Sequence, residues 1–476
     1  MEPFPEYENY DALGLAELVR NREITAEELL EAAIARAEAY NPSLNAIVDE
    51  LYDFGRDSVA SGLPDGPFKG VPFLLKDLSG ALGGYSQTRG SRFFADVVPP
   101  EDSVIVKRHK QAGLVIFGKT NTPELGLSLT CEPQLFGPSH NPWDLERTPG
   151  GSSGGSSAAV AARIAPMASG GDGFGSIRAP AACCGLVGLK PTRARNTMAP
   201  YAGEGNAGQS CEHALTRSVR DSAALLDATA GPSPGDPYVA PPPARPYLEE
   251  VSVAASTINI ALTTRAPNGA RIDGEILNVV NDTAKLLSEL GHAVEQADPN
   301  IDRESVIPTF RTISAANIAA TLRGHPAGKK PGYDDVERVT AAAAKMGEQL
   351  SGADYVQATQ TAQRLGRQMA EFHNTYDVLL TPALGTLPPK LGWIDMMLED
   401  ADEYWQRVFA FSPFTVWFNI TGQPGITLPM GMSESGLPIS VQLVARYGDE
   451  AALLRLAAQL EEARPWAENR PTIARV

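Results

Sequence analysis

A chain of 476 residues, 43% of them hydrophobic, can bury a large core, and its formal net charge of −17 argues against nucleic-acid binding and adhesion to anionic membranes. No apolar run reaches membrane-spanning length, the acidic N-terminal stretch MEPFPEYENYDALG lacks the basic and apolar regions of a signal peptide, and four cysteines are too few for a disulfide framework. The expectation is a cytoplasmic protein of loop-rich α/β architecture, given 44 glycines and 38 prolines, with its cysteines packed inside.

In chain order, residues 11–41 show helical periodicity, and Thr25-Ala26-Glu27-Glu28 opens a second helix as a capping box. Val71 to Leu75 is an apolar run of strand length that ends on Lys76. Gly113 to Thr120, GLVIFGKT, satisfies the P-loop pattern, but Leu114 to Phe117 form a strand rather than a phosphate-cradling loop, so no nucleotide is expected. GGSSGGS, Gly150 to Ser156, has linker composition, yet it precedes SSAAVAARIAPMA, good helix material up to the proline. The same loop fits G-x-S-x-G without the hydrophobic strand that a nucleophile elbow needs before it. A second glycine loop, GDGFGSIR at Gly171 to Arg178, sets Ser176 twenty-four residues after Ser152. Gly231 to Pro246 is a Pro-rich connector whose extended backbone wraps the surface. Residues 257–263 then read as a strand and 274–291 as a helix. The run Met396, Met397, Trp405, Phe409, Phe411, Phe414, Trp417 and Phe418 supplies core and, in part, pocket wall.

A serine hydroxyl attacks only when a base takes its proton, and lysine is such a base only where burial keeps it neutral. Lys76 has that setting at the end of its apolar run. Around Ser176, glycines at 173 and 175 let backbone N–H groups converge on an anionic oxygen. Asp172 and Arg178 flank the loop as a bracing pair. His213, His292, His325 and His373 follow Ser152 but sit in no triad context, and His213 reads as a packed or capping residue. Cys183 and Cys184 are adjacent, Cys131 and Cys211 isolated, and no H-E-x-x-H occurs; neither metal nor cofactor is expected.

Together these elements resemble the amidase signature family of Ser-Ser-Lys amide hydrolases. The likeness runs from about Leu13 to Trp466, through GVPFLLKDL, GKTNTPELG, NPWD, TPGGSSGGSSAAVAA, GSIRAPAACCGLVGLKPT, TRSVRDSAALLDA, DVLLTPALG, FNITGQPGITLP and GLPISVQLVARYGDEAALL. It implies one compact α/β domain over 1–476, a large mixed β-sheet core covered by helices. Within it fall a catalytic core at 70–230, the connector at 231–246 and a substrate funnel at 300–412, the stretch least like the family. Carried over by residue, the resemblance makes Ser176 the nucleophile, Ser152 the bridging serine on a cis peptide bond and Lys76 the base. The N–H groups of Gly173, Phe174, Gly175 and Ser176 would form the oxyanion hole.

Phe174 departs from the family, which commonly has glycine there. A Cβ disfavours positive φ, so ordinary backbone is expected at Phe174, with its ring on the acyl side of the pocket and Trp417 and Phe418 on the other. The implied reaction is hydrolysis of a carboxylic amide through an acyl-enzyme. Uncharged apolar, aryl or oligomeric amides are the expected substrates, because the nucleophile loop shows no cation besides Arg178. Stretches 171–195 and 212–228 are most similar to the 6-aminohexanoate cyclic-dimer (nylon-oligomer) hydrolase-like branch and related aryl-amide or carbamate hydrolases. A carbamate or ester hydrolase, and an amidotransferase A-type subunit that needs a partner to receive ammonia, remain as alternatives. A small-molecule amide is the expected partner, with no nucleic acid and no membrane; a homodimer is left open.

Overall fold

Eleven strands join into a single mixed sheet in the computed structural model, which describes residues 4–471 and 473. The first three residues of the acidic N-terminal stretch lie outside the described residues. In chain order the strands are β1 Ile47–Glu50, β2 Pro72–Lys76, β3 Val115–Thr120, β4 Met167–Asp172, β5 Val187–Lys190, β6 Cys211–Thr216, β7 Asn259–Leu262, β8 Ala293–Gln296, β9 Val378–Pro382, β10 Gly425–Met432 and β11 Pro438–Ala445. Across the sheet they run β1-β3-β2-β4-β6-β5-β10-β11-β9-β7-β8. Parallel pairs β3–β2–β4 and β9–β7–β8 lie toward the two sides, and the strands between β4 and β9 pair antiparallel.

β2, β3, β5, β9 and β11 are buried along their whole length, as strands covered on both faces must be. Their alternation feeds two apolar clusters: Leu379 joins one, while its neighbours Val378 and Leu380 join the other. The apolar run before Lys76 is therefore a strand that carries the amine into the interior. GLVIFGKT likewise becomes β3 and forms no phosphate loop.

The helices Ala12–Arg20 and Ala26–Leu44 occupy the periodic N-terminal segment. At the start of the second, Thr25 Oγ1 accepts from the Glu28 N–H and the Glu28 carboxylate accepts from the Thr25 N–H. The serine-rich loop opens the helix Gly154–Ala161. β7 and the helix Gly274–Glu289 lie where the sequence placed them. The Pro-rich connector is pinned to the body: Arg108 donates to the carbonyls of Gly231 and Pro232, and Arg195 to that of Pro241. Among the described residues no helix is long and apolar enough to cross a membrane.

Candidate active site

β2 ends with the Lys76 side chain almost fully enclosed, and its Nζ lies 2.6 Å from Ser152 Oγ and 3.4 Å from the Gly171 carbonyl oxygen. The Lys76 N–H donates to Ser169 Oγ at 2.7 Å, which ties β2 to β4 just before the second serine loop. Burial pushes the Lys76 ammonium from 10.5 down to about 7, against the smaller opposing pull of Cys131, Asp172 and Glu212. Near neutral pH a large fraction of this amine is free to accept a proton.

Ser152 follows a cis peptide bond from Gly151. Gly126 comes close enough that a Cβ there would sit 3.1 Å from Ser152 Oγ and 2.6 Å from Leu78 Cδ2, and its φ of +67° also suits glycine. The Ser153 N–H donates to the Ser176 carbonyl oxygen at 3.2 Å and joins the two serine loops. Ser152 and Ser176 line the same cavity of about 390 Å³.

The Asp172–Arg178 pair is fully buried, with Nε 2.9 Å from Oδ2. Burial alone would raise the Asp172 pKa, but the Arg178 guanidinium, with Asn419 and Lys190, outweighs it and holds the carboxyl below the usual range. Arg178 donates further to Gln442 Oε1 and Asn419 Oδ1 at 2.8 and 2.6 Å. Asp172 in turn accepts from the N–H groups of Gly175, at 2.7 Å, and Ile177, at 3.1 Å. This changes the expected oxyanion set. The Gly175 N–H belongs to the brace, whereas among the described residues those of Gly173, Phe174 and Ser176 donate to no protein group.

Phe174 is absent from the positive-φ residues, and the φ of +139° falls on Gly175, where a Cβ would strike Thr415 Oγ1 at 2.4 Å. The Phe174 ring borders the cavity and is backed by Phe310 and Trp405, with centroids 5.0 and 6.1 Å away. Trp417 and Phe418 require correction: they do not line the cavity at Ser176 but a separate small one with Phe414 and Leu379. Helical spacing explains this. On the helix Thr415–Thr421, Thr415 and Asn419 face the nucleophile loop, donating to the Phe174 and Asp172 carbonyls, so Trp417 turns away, while Phe418, at the edge of that face, lines the other cavity.

Three wall contributions escaped the sequence reading. Ser314, Asn317 and Ile318 reach the cavity from the helix Val306–Arg323, within the 300–412 segment; their spacing signals a helix face and not what it faces. Glu212 enters from β6, opposite Gly171. Burial raises its pKa to about 7, with Lys76 opposing. An acid inside a short, mostly buried strand was the signal available. Arg89 enters from a loop where nothing in the spacing marks it. His213, next to Glu212, points to the other face and lies 2.9 Å from Ser222 Oγ, with its pKa lowered to about 4 by burial. Among the described residues no group of three His, Cys, Asp or Glu side chains is placed to hold a metal.

The model of a known family, Amidase, matches residues 28–454. The chain belongs to the amidase family. This amidase is 40% identical to a 6-aminohexanoate-cyclic-dimer hydrolase of Paenarthrobacter ureafaciens, over 97% of this chain and 96% of that protein. Its fold is similar to a 6-aminohexanoate cyclic dimer hydrolase solved with substrate, at a TM-score of 0.92 and 38% identity, covering 98% of this chain and 99% of that one. A bacterial aryl acylamidase of the amidase signature family follows at a TM-score of 0.89 and 25% identity, with 98% of both chains covered. The protein is thus an enzyme that hydrolyses amide C–N bonds.

Proposed function

We propose that this amidase works through a Ser176–Ser152–Lys76 relay and an acyl-enzyme. The observation that carries this reading is the 2.6 Å contact between Lys76 Nζ and Ser152 Oγ, made where burial favours the neutral amine. Lys76 takes the Ser152 proton while Ser152 takes that of Ser176, and Ser176 Oγ bonds to the amide carbon. The oxyanion then faces the N–H groups of Gly173, Phe174 and Ser176, donors already oriented before reaction. Collapse breaks the C–N bond, and the proton held by Lys76 returns through Ser152 to the leaving amine. Water repeats the relay on the ester, releasing the acid and restoring Ser176.

All three reacting side chains come from residues 70–230, and the helix Val306–Arg323 of the 300–412 segment supplies part of the wall; this supports the division into catalytic core and funnel. Phe174, Leu78, Leu125, Leu127 and Ile318 offer an apolar surface to the acyl part. Together with the relatives' named activities, this favours apolar, aryl or oligomeric amides. The restriction to uncharged ones is weakened, because Arg89 brings a cation into the cavity from outside the nucleophile loop. Four free, buried cysteines support a reducing compartment such as the cytoplasm.

The test is a panel of anilides, lactam oligomers, primary amides and carbamates, with covalent labelling by a fluorophosphonate. Ser176→Ala should abolish turnover and labelling. Labelling at Ser152 or Ser153 with Ser176 untouched would overturn the assignment.

A further inference from the structure

We propose that Arg89 anchors a carboxylate on the substrate, so that the preferred amides carry a negative charge separated from the scissile bond by an apolar spacer. The proposal rests on the reaction assigned to Ser176 and names the substrate class for that same cavity.

Arg89 is held firmly at its backbone and left free at its head. Its N–H donates to the Asp77 carbonyl at 2.9 Å, one residue past Lys76, and its carbonyl accepts from Leu125 at 2.8 Å, one residue before the glycine that abuts Ser152. Its φ of +57° is a conformation that a side chain with a Cβ rarely adopts. The guanidinium carbon lies over the Phe94 ring, 4.9 Å from its centroid, and Arg89 lines the cavity that holds Ser152 and Ser176.

Among the described residues that head group makes no hydrogen bond and no ion pair. The buried arginines differ from this partly exposed one: Arg178 is neutralised by Asp172 and Arg195 by Glu450, while Arg163 and Arg217 spend donors on backbone carbonyls. Asp77, the acid that acts on Arg89, lies beyond ion-pair distance and gives its oxygens to the N–H and hydroxyl of Thr88. Glu204 and Glu212 line the same cavity, and neither pairs with Arg89. A guanidinium stays charged throughout the physiological range and presents up to five donors in a planar fork that fits a carboxylate edge-on. A half-buried cation that loses hydration to its surroundings and is given no ion-pair partner by the protein favours an anion from outside. The Phe94 ring packs beside the guanidinium, and the backbone bonds to Asp77 and Leu125 hold the residue in place before substrate arrives.

The carboxylate can belong to the acyl part or to the leaving amine, and two substrate pairs separate these cases. Adipic acid mono-4-nitroanilide is compared with hexanoyl-4-nitroanilide, and N-hexanoyl-4-aminobenzoate with hexananilide. The wild type should favour the charged member of at least one pair by tenfold or more in kcat/KM. Arg89→Met should cut that ratio at least tenfold, and Arg89→Lys should keep more of it. No preference in either pair, or a ratio unchanged in Arg89→Met, would overturn the proposal. Calorimetric binding of adipic acid monoanilide to Ser176→Ala needs no turnover. Adding Arg89→Met should weaken it at least tenfold if the acyl-side pair shows the preference; if the leaving-amine pair does, N-hexanoyl-4-aminobenzoate takes its place, and equal binding of the preferred charged amide would sink the anchor. A failed Ser176 assignment would instead show as Ser176 left unlabelled, whatever Arg89 does to this binding.

Discussion

The ends of β2 and β5 each carry a lysine taken almost entirely out of water, Lys76 and Lys190. Burial lowers the pKa of both, and both feel the Asp172 carboxylate. Their amines meet different neighbours. Lys76 Nζ touches the hydroxyl of Ser152 in the wall of a cavity, whereas Lys190 Nζ donates to the Pro191 carbonyl at 2.8 Å and lies 3.9 Å from Cys211 Sγ. Burial lowers the pKa of either lysine. A proton donor that can itself be reprotonated, with room for substrate beside it, is what sets Lys76 apart as the proposed base.

The sharpest way to break this contrast is kinetic. Lys76→Met should lower kcat/KM on a neutral anilide by about 10³-fold or more, in the upper range for loss of a general base, while Lys190→Met should cost less than about tenfold, since no proton moves through it. Equal losses would show that the two sites share a structural role.

Stability should move the other way. A lysine whose folded pKa lies below its unfolded value must lose its proton, or be buried charged, when the chain folds. The penalty is full below pH 7, shrinks as pH rises from about 7 toward 10.5, and is gone above that. Lys76→Met should therefore be more stable than wild type in urea near neutral pH, by about 1–4 kcal/mol, and the gain should fade by pH 10.5. Lys190→Met should share the direction. A gain that grew with pH would contradict the sign.

The smallest effect refines the setting of Lys76. Activity should climb with pH through about 7 and level off. Because the Glu212 anion favours the ammonium form of Lys76, Glu212→Gln should move that midpoint to lower pH by less than about one unit. A shift to higher pH would remove Glu212 from the electrostatics of the base.

Much of this contrast could be read before any coordinates. The apolar run ending on Lys76, the two serine loops and the helix between them are local patterns, and β7, the helix Gly274–Glu289 and the Thr25 capping box are likewise set by neighbours in sequence. What stayed hidden depends on direction across the fold. An aromatic run says that Trp417 and Phe418 are buried, but only the position of the Thr415–Thr421 helix says which cavity they face. Loop spacing could not reveal that Asp172 takes the Gly175 N–H. A lone arginine in QTRGS looks like surface until Leu125 and Asp77 clasp its backbone.

The bracing of the nucleophile loop also sets an order in time. Arg178 receives Asn419 from 241 residues later in the chain and Gln442 from 264 later. At the roughly 5–20 residues per second of protein synthesis, a ribosome that has just completed the loop needs roughly ten to fifty seconds more before those partners exist. The growing chain thus holds Ser176 and Lys76, the proposed nucleophile and base, long before the contacts that set the loop. The brace is complete only with the last part of the message, so a product truncated before Asn419 would carry Lys76, Ser152 and Ser176 without the contacts that shape their loop.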